Sequence, residues 1–335
     1  MPFTSLLQIE WLANPQGRPA AVRLARPDTA DIAGWTDLAA TPELAELARR
    51  QALWLDDVAL ATLGASAADG EAAAQALRGA GVQALAPSAL AEIDSNWPAH
   101  PPTQALVAGA WYLQPPAKAN AAQAASRARA LKLMQLVSAD ADTREIETEL
   151  RLDPALSYHL LRMVNSVALR GQREIGSFAQ AIMILGRQQL RRWLHLMLFS
   201  ARDEDPRSAM LTARVMLRAR TMELAAEALG QDRATQEQAF MAGLFSLLGV
   251  LFGQPLPEIL RALALPDALA GALLRGQGEL GALLARAEAA EAPPAHATPP
   301  GAVAAATAEL DPPRWARLQL AALLWAAGDQ DGTER

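Results

Sequence analysis

The sequence predicts an α+β protein, with a small α/β region at the N-terminus followed by an all-α region. Residues 1–118 combine short apolar runs with prolines and turn residues. From residue 131 to 291, apolar side chains recur at helical spacing between repeated helix start and stop signals. A stretch rich in alanine and proline, at 114–128, lies between the two regions.

Composition excludes several classes of protein. At 335 residues the chain can form two domains that each bury a core. It has no cysteine, so disulfides, thiolate metal sites and a cysteine nucleophile are excluded, and a reducing cytoplasm is compatible with this. The net charge of −6 gives no general attraction to nucleic acid or to an anionic membrane. We therefore expect a cytoplasmic protein with neither of these partners.

In the N-terminal region, apolar runs at 21–25 and 82–85 predict short strands. Helical patterns extend over 43–63 and over 71–77, and the second pattern ends before Gly79. Residues 1–118 are therefore predicted to form a small α/β domain.

Capping signals divide the following region, predicted to be one all-α domain over 119–291, into roughly eight to ten helices. Capping-box patterns, in which side chains satisfy free amides at a helix start, begin at Asp142, Ser177 and Thr235. Asp-Pro pairs at 153–154 and 205–206 mark further starts, and glycines 171, 186 and 230 mark ends. The most apolar stretch, 239–253, is short for a membrane span and is predicted to be a buried core helix.

Residues 292–308 are dominated by alanine and proline and are predicted to form a loop. A final helix, within 309–335, begins near Asp311 and carries Trp315 and Trp325. Two tryptophans on a short helix need to be covered, so this helix is predicted to pack on the preceding helical domain.

Chemical motifs are scarce. The four histidines have none of the spacings typical of metal ligands, and no glycine-rich phosphate loop or nucleophile elbow occurs. Carboxylates at 140–149 and 203–205 read as solvated charges near helix starts. No cofactor is therefore expected.

One basic group forms a candidate interaction surface. Arg187, Arg191 and Arg192 lie beside Trp193, and the first two are four residues apart on one helix face. Such a group can bind phosphate or an acidic protein, although arginines that line an exposed helix face are common.

Two segments resemble the HDOD domain: LDPALSYHLLRMVNSVALR at 152–170 and IGSFAQAIMILGRQQLRRWL at 175–194. The related HD phosphohydrolases have a metal-binding motif of the form AGLLHDIG, and here residues 242–249 read AGLFSLLG. Ser246 stands at the position of the motif's histidine and Leu247 at that of its aspartate. A hydrolytic site needs both side chains to hold a metal that activates water, so the resemblance implies no metal and no hydrolysis.

The N-terminal region resembles the EAL domain of cyclic-di-GMP phosphodiesterases, through NPQGRPAAVRLAR at 14–26 and GAWYLQPP at 109–116. In this alignment Val22 takes the place of a metal-binding glutamate. A complete α/β barrel has about 250 residues, so several βα units are missing. The resemblance implies a truncated, degenerate EAL-like domain.

Together these resemblances imply a non-catalytic bacterial signalling protein that acts through contacts of its HDOD domain with other signalling proteins, with a homodimer possible. Asn165 and Ser166, near a helix end, either bond to the backbone or join the docking surface. Two alternatives stay open: an enzyme, as a cyclic-di-GMP phosphodiesterase or HD-type hydrolase, and a non-hydrolysing cyclic-di-GMP sensor.

Overall fold

The computed structural model describes residues 6–25, 32–66, 68–95, 97–98, 102, 106–114, 131–151, 178–199, 206–261, 265–291 and 310–330. Two compact units can be separated, each built from segments that are distant in sequence. The first, which we call the sheet unit, comprises Met1–Gln114, Ala209–Leu248 and Pro266–Arg335. The second, the helical unit, comprises Pro115–Ser208 and Gly249–Leu265.

The sheet unit contains a six-stranded mixed sheet. Its strands are β1 (Gln8–Ala13), β2 (Pro19–Ala25), β3 (Ala52–Asp56), β4 (Val82–Leu85), β5 (Leu90–Glu92) and β6 (Leu106–Ala108). The strand order is β4-β3-β2-β1-β6-β5. β1 is antiparallel to both of its neighbours, whereas the remaining pairs are parallel. Five strands therefore run in one direction and only β1 runs against them, and the predicted strands at 21–25 and 82–85 are confirmed.

A tight turn sets the register of the first two strands. The Asn14 side-chain oxygen accepts hydrogen bonds from the backbone amides of Gln16 and Arg18, both at 3.0 Å. Asparagine favours this position because its short side chain can replace a backbone acceptor within a turn. The hairpin pairs Gln8 with Ala25 and Trp11 with Val22.

The sheet is curled around an apolar interior to which every strand contributes. Leu12, Ala21, Leu85 and Ala108 are buried in one cluster, and further apolar side chains pack against it: Ala52, Trp54, Ala89, Leu90 and Leu106. The protein's own apolar side chains, small alanines as well as leucines and one tryptophan, therefore pack together inside the curled sheet.

Four helices accompany the strands: α1 (Ile32–Ala39), α2 (Pro42–Arg50), α3 (Asp57–Ala65) and α4 (Ala68–Gly79). The predicted helix at 71–77 lies within α4. The single helix predicted over 43–63 is wrong, because residues 52–56 form β3 instead. This apolar segment, ALWLD, pairs with β2 on one side and β4 on the other, so tertiary pairing overrides local helical spacing.

The later chain is mostly helical, as predicted. After a helical stretch at 131–138 come α5 (Thr143–Arg151), α6 (Phe178–Phe199), α7 (Pro206–Ala228), α8 (Arg233–Phe245), α9 (Leu248–Phe252), α10 (Leu256–Arg261), α11 (Asp267–Arg275), α12 (Gly278–Glu291) and α13 (Pro312–Gln330). The signals at 153–154, 171 and Ser177 lie outside the described residues.

Several helices begin at the predicted aspartates. The Asp142 carboxylate accepts from the Arg144 amide at 2.9 Å, and that of Asp311 accepts from the Arg314 amide at the same distance. The start predicted at Thr235 is wrong by three residues. Asp232 is the N-cap of α8, and its carboxylate accepts from the amide of Thr235 at 2.8 Å. An ionised carboxylate is a strong acceptor at this end of a helix.

The apolar stretch at 239–253, predicted to be a single core helix, forms parts of two helices. α8 ends at Phe245, a turn follows at Ser246 and Leu247, and α9 begins at Leu248. Within the described ranges, no helix has the length and apolar character needed to cross a membrane.

The last helix, α13, carries the two tryptophans that the sequence predicts to be covered. Trp315 is fully buried, and the guanidinium of Arg286 lies 4.9 Å from its ring centroid. Trp325 meets Phe240 edge to face, with ring centroids 6.4 Å apart. α13 also packs against α1 and α2, which belong to the first segment of the sheet unit. Through Phe240 it contacts the second segment as well.

The kink in α6 yields a prediction. Gly186 has φ 72° and ψ 161°, a conformation essentially restricted to glycine. We expect Gly186→Ala to destabilise the protein by about 1–3 kcal/mol, because the added Cβ strains this backbone. Gly79→Ala is the control, since a Cβ at either glycine would have no heavy atom within 4 Å and only Gly186 has a positive φ. Equal unfolding midpoints in urea for the two variants would contradict the prediction.

Candidate functional site

A close helix crossing within the sheet unit positions the candidate site. A Cβ atom placed on Gly243 of α8 would lie 2.6 Å from the Ala219 Cα of α7. Such a distance is too short for any side chain, so the two helix backbones are in direct contact at this point. Glycine at 243 therefore brings the C-terminal end of α8 against the middle of α7, where Arg218 lies.

Ser246, which the sequence analysis aligns with the histidine of the HD motif, forms two hydrogen bonds at this crossing. Its hydroxyl accepts a hydrogen bond from Arg218 Nη1 at 2.6 Å and donates one to the Gly243 carbonyl at 2.6 Å. Leu247, which the sequence analysis aligns with the aspartate of that motif, is half-buried and has a hydrocarbon side chain. Ser246 and Leu247 thus provide one hydroxyl, already hydrogen-bonded to Arg218 and Gly243, in place of the imidazole and carboxylate of the hydrolase motif.

Arg218 is buried and is held by a carboxylate of α12. Only 3% of its side chain is exposed. Its Nε and Nη2 donate to the two oxygens of Glu291, at 2.9 and 2.7 Å, in a bidentate arrangement. Nη1 also lies 3.2 Å from Glu288 Oε1. Two parallel hydrogen bonds between a guanidinium and a carboxylate fix direction as well as charge.

A second arginine of α7 shares the same carboxylate. Arg214 Nε donates to Glu291 Oε2 at 2.7 Å, and its Nη1 donates to the Tyr112 hydroxyl at 2.7 Å. Tyr112 follows β6 and is 2% exposed. We call these five residues the arginine cluster: Tyr112, Arg214, Arg218, Ser246 and Glu291.

The arginine cluster strongly favours the charged form of Glu291. Burial alone would raise the pKa of this carboxyl, but Arg218 and Arg214 hold the pKa below its ordinary value. Burial raises the pKa of Tyr112, so its hydroxyl stays neutral. Burial opposes the charge on Arg214, yet Tyr112 and Glu291 together raise its pKa above the ordinary value.

The cluster does not fit a metal ion. Its only carboxylate within the bidentate contact is already shared by two guanidiniums, and the Ser246 hydroxyl is used twice. A divalent cation placed beside Ser246 would also face the positive charge of Arg218. Across the described residues, no group of three or more histidine, aspartate or glutamate side chains could hold a metal ion.

Val22, the other position aligned with a metal ligand, lies in the middle of β2. It pairs with Trp11 on one side and Leu53 on the other, and its side chain is fully buried. A buried hydrocarbon at this position has no lone pair to offer an ion.

The structure describes only some of the residues predicted to form the interaction surface. Arg187 follows the kink of α6, and its Nη2 donates to the Ala141 carbonyl at 2.6 Å. Its Nη1 lies 3.7 Å from the Asp140 carboxylate. Arg187 therefore ties α6 to the turn before α5. Arg192 is half-buried. Arg191 lies on α6 with its side chain outside the described set, and Asn165 and Ser166 also lie outside the described residues.

Reasoning from the sequence missed the arginine cluster. Arg214 and Arg218 are four residues apart on a helix that is otherwise apolar on that face, beside Val215 and Leu217. Two arginines at this spacing inside an apolar pattern indicate buried, paired charges. The pattern does not identify Glu291, which is 73 residues away.

Comparison with known proteins identifies the larger part of the helical region. Residues 126–289 match the model of the HDOD domain. The chain carries an HDOD domain. No solved structure gives a match.

Two curated proteins are similar to part of the chain. One is the cyclic di-GMP phosphodiesterase CdgJ of Vibrio cholerae serotype O1, 33% identical over 145 residues, which are 43% of this chain and 33% of that protein. The other is the uncharacterized protein YuxH of Bacillus subtilis strain 168, 28% identical over 149 residues, which are 44% of this chain and 36% of that protein. The similarity thus spans about a third of each relative.

The limits of the HDOD match divide the arginine cluster. Arg214, Arg218 and Ser246 lie within 126–289, whereas Tyr112 and Glu291 lie just outside it. The carboxylate that bonds both Arg214 and Arg218 therefore lies outside the matched segment, although Glu288, which also contacts Arg218, lies inside it.

The central position of Glu291 yields a prediction. We expect Glu291→Gln to destabilise the protein by about 3–5 kcal/mol, because it removes the carboxylate that bonds both Arg214 and Arg218 and leaves the buried Arg218 only the half-exposed Glu288. Urea unfolding at neutral pH measures this change. Glu46→Gln is the matched control, since Glu46 also bonds two arginines, Arg49 and Arg50, but on the surface of α2.

The destabilisation caused by Glu291→Gln should depend on pH. Because the folded protein holds the pKa of Glu291 below the ordinary 4.5, this carboxylate stabilises the fold above that pH. Its contribution is lost as the pH falls through the folded pKa. The difference in unfolding free energy between wild type and Glu291→Gln should therefore narrow below about pH 4.5. A difference that is constant with pH would show that Glu291 is not ionised in the cluster.

Proposed function

We propose that this chain is a non-catalytic regulatory protein whose HDOD domain acts through contacts with other proteins. The observation that carries the proposal is the hydrogen bond from the Arg218 guanidinium to Ser246, at the position where a metal-dependent HD hydrolase has its histidine. A site that holds a permanent cation and lacks free donors has no means to activate water through a metal. Recognition by the protein surface is then the function left to an HDOD domain.

We further propose that residues 1–118 are a shortened, degenerate EAL-like domain. The mixed sheet supports this, because strands and helices alternate from β2 to β4 in parallel βα units, as in an α/β barrel. β1 is the one strand that runs against the others. The described side chains packed inside the curled sheet are apolar and offer no partner to the phosphates of a nucleotide, which argues against a cyclic-di-GMP sensor.

A cyclic-di-GMP phosphodiesterase is the second candidate. It is favoured by the name of the Vibrio cholerae relative, which is 33% identical to part of this chain. That name describes a whole protein of which only 33% aligns. The donor set around Ser246 and the hydrocarbon at Val22 favour the non-catalytic proposal over this one.

Metal analysis combined with a hydrolysis assay separates the two candidates. We expect purified protein, incubated with Mg²⁺ or Mn²⁺ and cyclic-di-GMP, to retain no stoichiometric metal after desalting and to form no linear dinucleotide. The physical reason is that, in the described part of the chain, both carboxylates near Ser246, those of Glu288 and Glu291, are bonded to Arg218. Hydrolysis that depends on metal and stops with a chelator would refute the non-catalytic proposal.

Protein recognition by the basic group on α6 can be tested by crosslinking in source cells followed by mass spectrometry. Charge reversal is best made at Arg191 alone, because Arg187 bonds to Ala141 within the protein. We expect Arg191→Glu to reduce recovery of a specific crosslinked partner at least about tenfold, as loss of a charge-assisted contact predicts. Arg144→Glu, on the exposed face of α5, is the control. Equal recovery with Arg191→Glu would exclude this surface.

A further inference from the structure

A second arginine site lies near the end of the curled sheet where β2 ends and β1 begins. Arg23 Nε of β2 donates to Glu10 Oε2 of β1 at 2.8 Å, and Nη2 lies 2.5 Å from the same oxygen. Nη1 lies 3.7 Å from Asp56 Oδ1 and 3.8 Å from Glu92 Oε1. The Glu10 side chain is 20% exposed, whereas those of Asp56 and Glu92 are 46% and 67% exposed. Glu10 is therefore the closest and the most buried of the three carboxylates around this guanidinium.

The other oxygen of Glu10 contacts the loop that follows β6. Glu10 Oε1 accepts a hydrogen bond from the Gly109 amide at 3.0 Å, although the two residues are 99 positions apart in the sequence. Gly109 has φ 102°, and a Cβ atom at this position would lie 2.3 Å from the Ile93 carbonyl oxygen. Only glycine fits both this backbone conformation and the available space. The packing of the loop thus holds the Gly109 amide at the Glu10 carboxylate.

Three residues after Gly109, the same loop reaches the arginine cluster. A short 3₁₀ helix, Trp111–Leu113, places the Tyr112 hydroxyl 2.7 Å from Arg214 Nη1. Trp111 is fully buried, and its ring meets that of Tyr112 edge to face, with the ring centroids 5.5 Å apart. Close packing of these rings leaves Tyr112 little freedom to move independently of the backbone that carries it.

These contacts form one continuous series from the sheet to the HDOD segment. Arg23 bonds to Glu10, and Glu10 bonds to residues 109–112, which we call the connector loop. Tyr112 of the connector loop belongs to the arginine cluster, whose last member is Ser246. Burial is the main cause of the raised pKa of Tyr112, and the charge of Glu10 adds to it, which agrees with the nearness of the two groups. Hydrogen-bonded series of this kind can carry coupling between distant sites.

We propose that the connector loop couples the pair of Arg23 and Glu10 to the helix crossing at Ser246, so that a change at the end of the sheet is transmitted into the HDOD segment. A charge-assisted hydrogen bond holds the loop at each end, and the packed rings keep it from deforming freely. Neutralising Glu10 weakens the hold on Gly109, and the loop then orients Tyr112 less firmly. The arginine cluster loses order in turn, and with it the bond that fixes Ser246.

Hydrogen exchange of the full chain, followed by mass spectrometry, tests this coupling at a distance. We expect Glu10→Gln to raise the exchange rate of the amides at 243–248 by at least about threefold, a modest effect for residues of one hydrogen-bond network. Glu92→Gln is the matched control, because the Glu92 carboxylate also faces Arg23 but is described in no hydrogen bond to the connector loop. This control should leave the amides at 243–248 unchanged.

Tyr112→Phe identifies the route, because it removes the hydroxyl that bonds Arg214 and keeps the packed ring. β1 also packs directly against α12, and this second route is left intact in the variant. Adding Glu10→Gln to Tyr112→Phe should therefore give no further increase at 243–248. Coupling is reciprocal, so Tyr112→Phe alone should raise the exchange of the β1 amides, Gln8–Ala13, by a similar factor. This last readout does not require that Glu10→Gln folds.

Three outcomes would overturn the proposal. The first is a change confined to β1 and the connector loop, with unaltered exchange at 243–248. The second is an equal increase in every peptide of the sheet unit that matches the loss of stability in urea, because global unfolding then explains it. The third is a further increase when Glu10→Gln is added to Tyr112→Phe, which would show another route. No metal or partner enters these measurements, so the proposed function stands or falls separately.

Discussion

The carboxylate of Glu291, paired with two guanidiniums, links distant parts of the sheet unit. Glu291 bonds to both Arg214 and Arg218, and burial of these charges is tolerable only because each is paired with good geometry. Through Arg214 the pairing reaches Tyr112, which follows the sheet, and through Arg218 it reaches Ser246, which follows α8. One anion therefore joins the strand region to three helices.

The arginine cluster extends across the boundary of the segment that matches the HDOD domain. The HDOD match ends at residue 289, two residues before the carboxylate that neutralises its buried arginines. The compact sheet unit joins the N-terminal strands to the later helices α8, α11 and α12. The later helices of the HDOD domain and the N-terminal strands thus pack together in one unit. The contact between Arg214 and Tyr112, for example, joins residues that are 102 positions apart in the sequence.

Features that depend on neighbouring residues were predictable from the sequence. The helix starts at Asp142 and Asp311 follow from side chains that bond the next turn, and both are present. β3 was not predictable, because ALWLD becomes a strand only through pairing with β2 and β4. For the same reason the sequence located Ser246 and Leu247 but not their surroundings. Arg218 finds its partner across 73 residues, a distance at which local patterns carry no information.

The contact between Arg218 and Ser246 also limits which side chains position 246 can accept. A histidine introduced at 246 would meet the guanidinium already bonded there, next to the close contact between Gly243 and Ala219. Removing that guanidinium first would leave Glu291 with half of its compensation. Either substitution alone is thus expected to be costly, so position 246 is constrained by its contact with Arg218.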